Sequence, residues 1–168
     1  RIRSRFIASF FVCVCIILGL WFQGTTLMAG DPVVKQLETR LTQTPEDEKA
    51  EILLDLAHVY VYRPGANAKL ITCASRALEL AERLGDNNKK ALALAYLGMA
   101  SIVDNDQKAG LDYSYRALKL FRQLDDTQGM AQATVNVGVA HANLGDYDTA
   151  YGTLRRALSY IPGETRGR

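Results

Sequence analysis

Apolar residues recur at intervals of three and four residues between positions 45 and 160, and short polar segments interrupt them. This spacing puts apolar side chains on one face of a helix, whereas a half-buried strand would alternate. The polar segments contain Pro, Gly, Asp or Asn, which end helices or cap their first turn. The pattern predicts an all-α chain without strands, and its helices are 32–42, 45–62, 66–84, 88–103, 107–124, 127–143 and 147–160.

The helical part repeats itself. The tripeptide Arg-Ala-Leu recurs at a spacing of 40 residues, at 76–78, 116–118 and 156–158. Repeats of this length are typical of helix pairs that stack into a solenoid, because one pair alone cannot bury its apolar face. If the helices of a pair are antiparallel, Gly98 faces Gly110 and Gly138 faces Ala150. The two backbones can then approach closely.

These landmarks resemble the tetratricopeptide repeat family. Counted from Ala131, the third repeat carries the family's four landmark residues, Gly138, Ala150, Ala157 and Pro162. The second repeat matches at Gly98, Gly110 and Ala117. The first repeat is degenerate, because His58 and Leu70 replace its small pair.

The resemblance implies an α-solenoid of antiparallel helix pairs with three repeats, at 45–86, 87–126 and 127–162. A leading helix and linker occupy 31–44, and a short tail occupies 163–168. The 40-residue period is similar to the variant found in kinesin light chains and in sensory regions of bacterial histidine kinases.

The first thirty residues differ from the rest. Residues 6–22 are almost wholly apolar, three arginines precede them, and no charge occurs from 6 to 30. This pattern predicts an apolar export helix, either a cleaved signal peptide or a membrane anchor. The basic start favours a cytoplasmic N-terminus and export of the residues after the apolar run. We therefore expect a periplasmic or other extracytoplasmic protein, attached to the inner membrane if residues 6–22 are retained.

Charge and composition limit the classes of function that the sequence allows. The chain has a net charge of +2, but residues 31–168 hold 17 basic and 18 acidic residues and are close to neutral. No basic field is available for a nucleic acid backbone. His58 and His141 are the only histidines, fall in different repeats, and belong to no metal or acid–base motif. Cys73 is predicted to be a buried thiol. The sequence therefore predicts a non-catalytic protein without cofactor or metal.

By resemblance, the first helices of the repeats line a concave groove that binds a peptide or a partner helix. Asn136 matches an asparagine that related repeats use to hold a peptide backbone. The candidate groove residues are Asp55, Val59, Tyr62, Tyr96, Met99, Gln132, Asn136 and Val139. The alternative is that the apolar members pack against helix 32–42 or against further repeats.

Together these features predict a protein–protein interaction scaffold, as the sensory or docking part of a longer membrane signalling protein. The alternative is a stand-alone adaptor of the cell envelope. Because no polar capping helix comes after the third repeat, we expect further repeats or a partner to cover its C-terminal face.

Overall fold

The computed structural model describes residues 31–161, which form helices with no strand in that range. The all-α prediction is confirmed for these residues, and every predicted helix has an observed counterpart. The predicted export helix lies outside them. The helices are α1 (Pro32–Gln43), α2 (Lys49–Val61), α3 (Asn67–Leu84), α4 (Asn87–Val103), α5 (Gln107–Gln123), α6 (Thr127–Asn143) and α7 (Tyr147–Leu158).

The chain divides into two compact units, residues 1–36 and 37–168. In the first unit, the described residues form the start of α1, where Asp31 Oδ1 accepts a hydrogen bond from the backbone N–H of Val33 at 2.9 Å. Val33 is 50% exposed, whereas Val34 is buried.

The second unit contains the helix pairs, and aspartates start four of its helices. Asp86, Asp106, Asp126 and Asp146, spaced 20 residues apart, each accept a hydrogen bond from the backbone N–H three residues later. Each bond satisfies an N–H group that the first turn leaves without a helical partner. The aspartates therefore fix where each of these helices begins.

The first predicted repeat helix starts differently. Its first turn, Glu46–Glu48, is a 3₁₀ turn, and the α-helix begins only at Lys49. The Glu46 carboxylate accepts hydrogen bonds from Arg76 at 2.8 Å and Lys49 at 2.6 Å. These bonds lower the pKa of Glu46 to about 2 and attach the turn to α3.

Small residues set the distance between the helices of a pair. A Cβ atom on Gly98 would lie 2.5 Å from Ser114 Oγ and 3.3 Å from the Gly110 carbonyl oxygen. A Cβ atom on Gly138 would lie 2.7 Å from Leu154 and 3.5 Å from the Ala150 carbonyl oxygen. The predicted facing of Gly98 with Gly110 and of Gly138 with Ala150 is therefore confirmed.

In the first pair, a small residue again lies at the packing position, but one residue earlier than the 40-residue period predicts. Ala57 is buried, as Gly98 is, whereas His58 is exposed. Five residues connect α2 to α3, but three connect α4 to α5. The buried residues of α2 up to Ala57 match buried residues of α4 at an offset of 41, which aligns Ala57 with Gly98. The assignment of His58 to the small packing position was wrong, because the buried positions of α2 are shifted by one residue from the 40-residue period.

Successive pairs meet through a shared core. The buried residues of α4, α5 and α6 that form this core are Ala91, Leu94, Ala95, Ala117, Leu118, Phe121 and Ala133. Phe121 of α5 is 1% exposed, and its ring lies directly over the backbone of Gly129 in α6. The ring fills the space that a side chain at position 129 would take, so this glycine fits one pair onto the next.

We predict that Gly129→Ala destabilises the protein by about 1–3 kcal/mol, because the new methyl group would overlap the buried Phe121 ring. Helix propensity alone would give the opposite sign, since alanine is favoured over glycine by about 1 kcal/mol. The matched control is Gly152→Ala in α7, where the added Cβ meets no atom within 4 Å and should stabilise. Chemical denaturation gives the free energy of unfolding of both variants. Equal stabilisation of the two would contradict the close packing of Phe121 on Gly129.

Candidate partner-binding groove

The first helices of the three pairs form one continuous surface, since α2 contacts α4 and α4 contacts α6. We call this surface the groove face. Among the eight predicted groove residues, Asp55, Tyr62 and Val139 are exposed, whereas Val59, Met99 and Gln132 are half-buried. Tyr96 and Asn136 are buried. The groove face therefore presents a mixture of aromatic, apolar and polar groups.

Tyr96 and Tyr62 come together through His58. His58 Nδ1 lies 3.1 Å from the Tyr96 hydroxyl oxygen, within hydrogen-bond distance. The rings of His58 and Tyr62 meet edge to face with their centroids 5.5 Å apart. Tyr62 caps the C-terminus of α2 and is 75% exposed. Sequence reasoning missed His58, although Asp55, His58 and Tyr62 are spaced at the three- and four-residue steps of a single helix face.

The Tyr96 hydroxyl lies in a buried environment near Asp55 and Tyr62. Burial raises the pKa of its hydroxyl, and nearby Tyr62 and Asp55 raise that pKa further, to about 12. The phenol is therefore a neutral hydrogen-bonding group over the physiological pH range. It anchors His58 without carrying charge.

Asn136 has a structural partner. Its side-chain amide donates a hydrogen bond to the backbone carbonyl of Ala95 at 3.0 Å, and the residue is 3% exposed. Related repeats use an asparagine here for a bound peptide, but this amide already connects α6 to α4. This buried hydrogen bond from Asn136 links two neighbouring first helices.

The two histidines do not converge. His141 Nδ1 lies 3.3 Å from Asp146, the residue that caps α7, whereas His58 lies between α2 and α4. Within residues 31–161, no group of three His, Cys, Asp or Glu side chains could hold a metal ion. Cys73 is buried as expected. In the same part of the chain, no helix is long and apolar enough to cross a membrane.

A second apolar surface lies on the outer side of the last pair. A depression of about 370 Å³ opens there between α6 and α7. Ile161 and Leu158 are nearly half exposed on it. We call it the end face, and its lining is Val135, Tyr151, Leu154, Arg155, Ala157, Leu158 and Ile161.

The comparisons with known proteins agree with this architecture. No protein-family model matches the sequence, and no curated protein matches it. The TPR domain of Arabidopsis FLU superposes with a TM-score of 0.61 at 20% identity, over 68% of this chain and 96% of that domain. A Rap protein, solved in complex with competence and sporulation factor, superposes with a TM-score of 0.70 at 26% identity.

The Rap match covers 76% of this chain, which spans 36% of the Rap chain. Together with the paired helices, these similarities show that the protein has a tetratricopeptide-like helical repeat fold. The resemblance seen in the sequence is confirmed at the level of the fold.

We predict that Asn136→Ala lowers the free energy of unfolding by about 1–2 kcal/mol, since it removes a buried hydrogen bond between two helices. Asn143→Ala is the matched control on the same helix. Its amide is at an exposed end, 3.5 Å from Gln107, so it should change stability by less than about 0.5 kcal/mol. Urea unfolding followed by circular dichroism compares the two. An unchanged urea midpoint for Asn136→Ala would mean that this hydrogen bond does not stabilise the contact between α4 and α6.

Proposed function

We propose that the protein is a non-catalytic scaffold for protein–protein interaction and binds an extended peptide or a partner helix on its groove face. The observation that carries this proposal is the continuous surface of α2, α4 and α6, which offers Tyr62, Met99 and Val139 beside polar groups. Aromatic side chains and methionine are enriched in protein interfaces, because they bury a large area while adapting to a partner.

The solved neighbours support the proposal. One is a TPR domain, and the other was solved in complex with competence and sporulation factor. The repeat fold gives the groove face a rigid base, since the buried Asn136 bond and the shared core hold neighbouring helices in register. A rigid surface loses less conformational entropy when it binds a flexible segment.

A random library of twelve-residue peptides, selected on the full chain, tests the groove. We expect binders whose affinity falls at least about fivefold in Tyr62→Ala, because truncating an exposed aromatic contact in an interface costs about 1 kcal/mol or more. Tyr115→Ala is the matched control, since Tyr115 is 49% exposed on α5, the second helix of its pair. Isothermal titration of each variant gives the affinities. Binders that respond equally to both substitutions, or no binders at all, would contradict the groove.

We further propose that the scaffold is exported and serves as the sensory or docking part of a longer membrane signalling protein. The support is the sequence of residues 1–30, with its three arginines and apolar run. A stand-alone envelope adaptor is the alternative. The two differ in whether the open reading frame continues into a signalling domain.

Fusing residues 1–30 to alkaline phosphatase, which is active only outside the cytoplasm, tests export in a bacterial host. We expect an active fusion, because a basic start before an apolar run directs translocation. Replacing two residues in the middle of the apolar run with arginine should abolish the activity. Mass measurement of the exported product separates cleavage from anchoring, and an inactive fusion would argue against export.

We expect the end face to form a second contact, with a helix that packs on it. Ala157, Leu158 and Ile161 stand 40 residues after Ala117, Leu118 and Phe121, which are buried where α6 covers α5. By this internal equivalence, the end face suits a helix with small residues at its crossing point, as α6 has at Gly129 and Ala133. Either a further repeat or a partner helix can supply it.

A further inference from the structure

One side of α2 differs in its side-chain chemistry from the rest of the groove face. Asp55, His58 and Tyr62 lie at steps of three and four residues, so they project from the same side of the helix. Tyr96 of α4 completes the group through its 3.1 Å contact with His58. We call these four residues the α2 cluster. It offers one carboxylate, one imidazole and two phenols on one surface.

The Asp55 carboxylate gives the cluster a negative charge. Among the described residues, the Asp55 carboxylate forms no hydrogen bond and no ion pair. Asp55 and the Tyr62 phenol both raise the pKa of the nearby Tyr96 hydroxyl. One turn before Asp55, Glu51 adds a second carboxylate on the same face, and like charges four residues apart disfavour a helix.

Three basic residues lie near the two ends of this side of α2, Arg40, Lys89 and Arg63. Arg40 and Lys89 line a depression of about 380 Å³ with Glu51, at the end of α2 away from Tyr62. Lys89 is already paired with Asp86 at 2.5 Å. Arg63, next to Tyr62 in the chain, acts instead on Tyr60, where burial raises the hydroxyl pKa and the arginine partly offsets the rise. Within residues 31–161, none of these three basic groups forms an ion pair with Asp55.

We propose that the α2 cluster binds a lysine or arginine side chain of the partner segment that occupies the groove. The proposal rests on the function proposed above and names its partner chemistry. Asp55 forms the ion pair with the ammonium or guanidinium group. The exposed Tyr62 ring offers its face to the same cation, an arrangement that adds to the attraction when solvent is excluded.

The remaining two residues position the site. The hydrogen bond between His58 and the Tyr96 hydroxyl holds the imidazole ring, and this ring in turn meets Tyr62 edge to face. An anionic partner side chain is disfavoured at this place, because Asp55 would repel it. The apolar residues further along the groove, Met99 and Val139, would contact the rest of the segment.

Matched peptides test the proposal. Binders selected as above are remade with Arg, Gln or Glu at each basic position, and each is titrated into the full chain. We expect the Arg peptide to bind about tenfold more tightly than its Gln counterpart, since a charge-assisted bond at an interface contributes about that factor. Asp55→Asn should remove this preference, and Glu79→Gln, an exposed carboxylate on α3, should leave it intact.

A charge reversal makes the test independent of any loss of fold. Asp55→Lys should bind the Glu peptide in preference to the Arg peptide, which a damaged groove could not do. Binders that contain no basic residue, yet still depend on Tyr62, would overturn this inference while leaving the groove function standing. Binders that depend on neither Tyr62 nor Asp55 would overturn both.

Discussion

The close approach of neighbouring helices is the constraint on which the rest of this protein depends. Within a pair, Gly98 and Gly110 bring two backbones nearly into contact. Between pairs, Gly129 accepts the buried Phe121 ring. Helices that pack this closely have little freedom to rotate or slide, because core packing is as dense as in organic crystals. These few contacts therefore set the orientation of the other side chains on the paired helices.

The groove face is a consequence of that packing. Since α2, α4 and α6 lie side by side, their outward residues combine into one surface that no single helix could provide. Two of its polar residues also join the helices, Asn136 to the Ala95 carbonyl and Tyr96 to His58. Both reach back from one first helix to the previous one. The groove face and the scaffold therefore share residues, so we expect substitutions at Asn136 and Tyr96 to affect stability as well as the binding proposed for this face.

The three repeats are alike in fold and different in surface. The first carries the Asp55 and Glu51 carboxylates and the exposed Tyr62 ring, whereas the third carries Val139 and the apolar end face. A solenoid permits such variation, because each repeat contacts only its neighbours and its outward residues are free of the core. A segment lying along the groove would meet charge at one end and apolar surface at the other, which would fix its direction.

Sequence reasoning was sufficient to predict the helices, their caps and the facing glycines. These features depend on residues within a few positions of one another, such as Asp106 with the Ala109 N–H, or on a strict 40-residue period. The tertiary structure was needed to show which face of α2 is outward and what Asn136 does. The buried positions of α2 are shifted by one residue from the 40-residue period, and this shift moves His58 out of the packing position. The partner of Asn136 lies 41 residues away on another helix, so no local pattern reveals it.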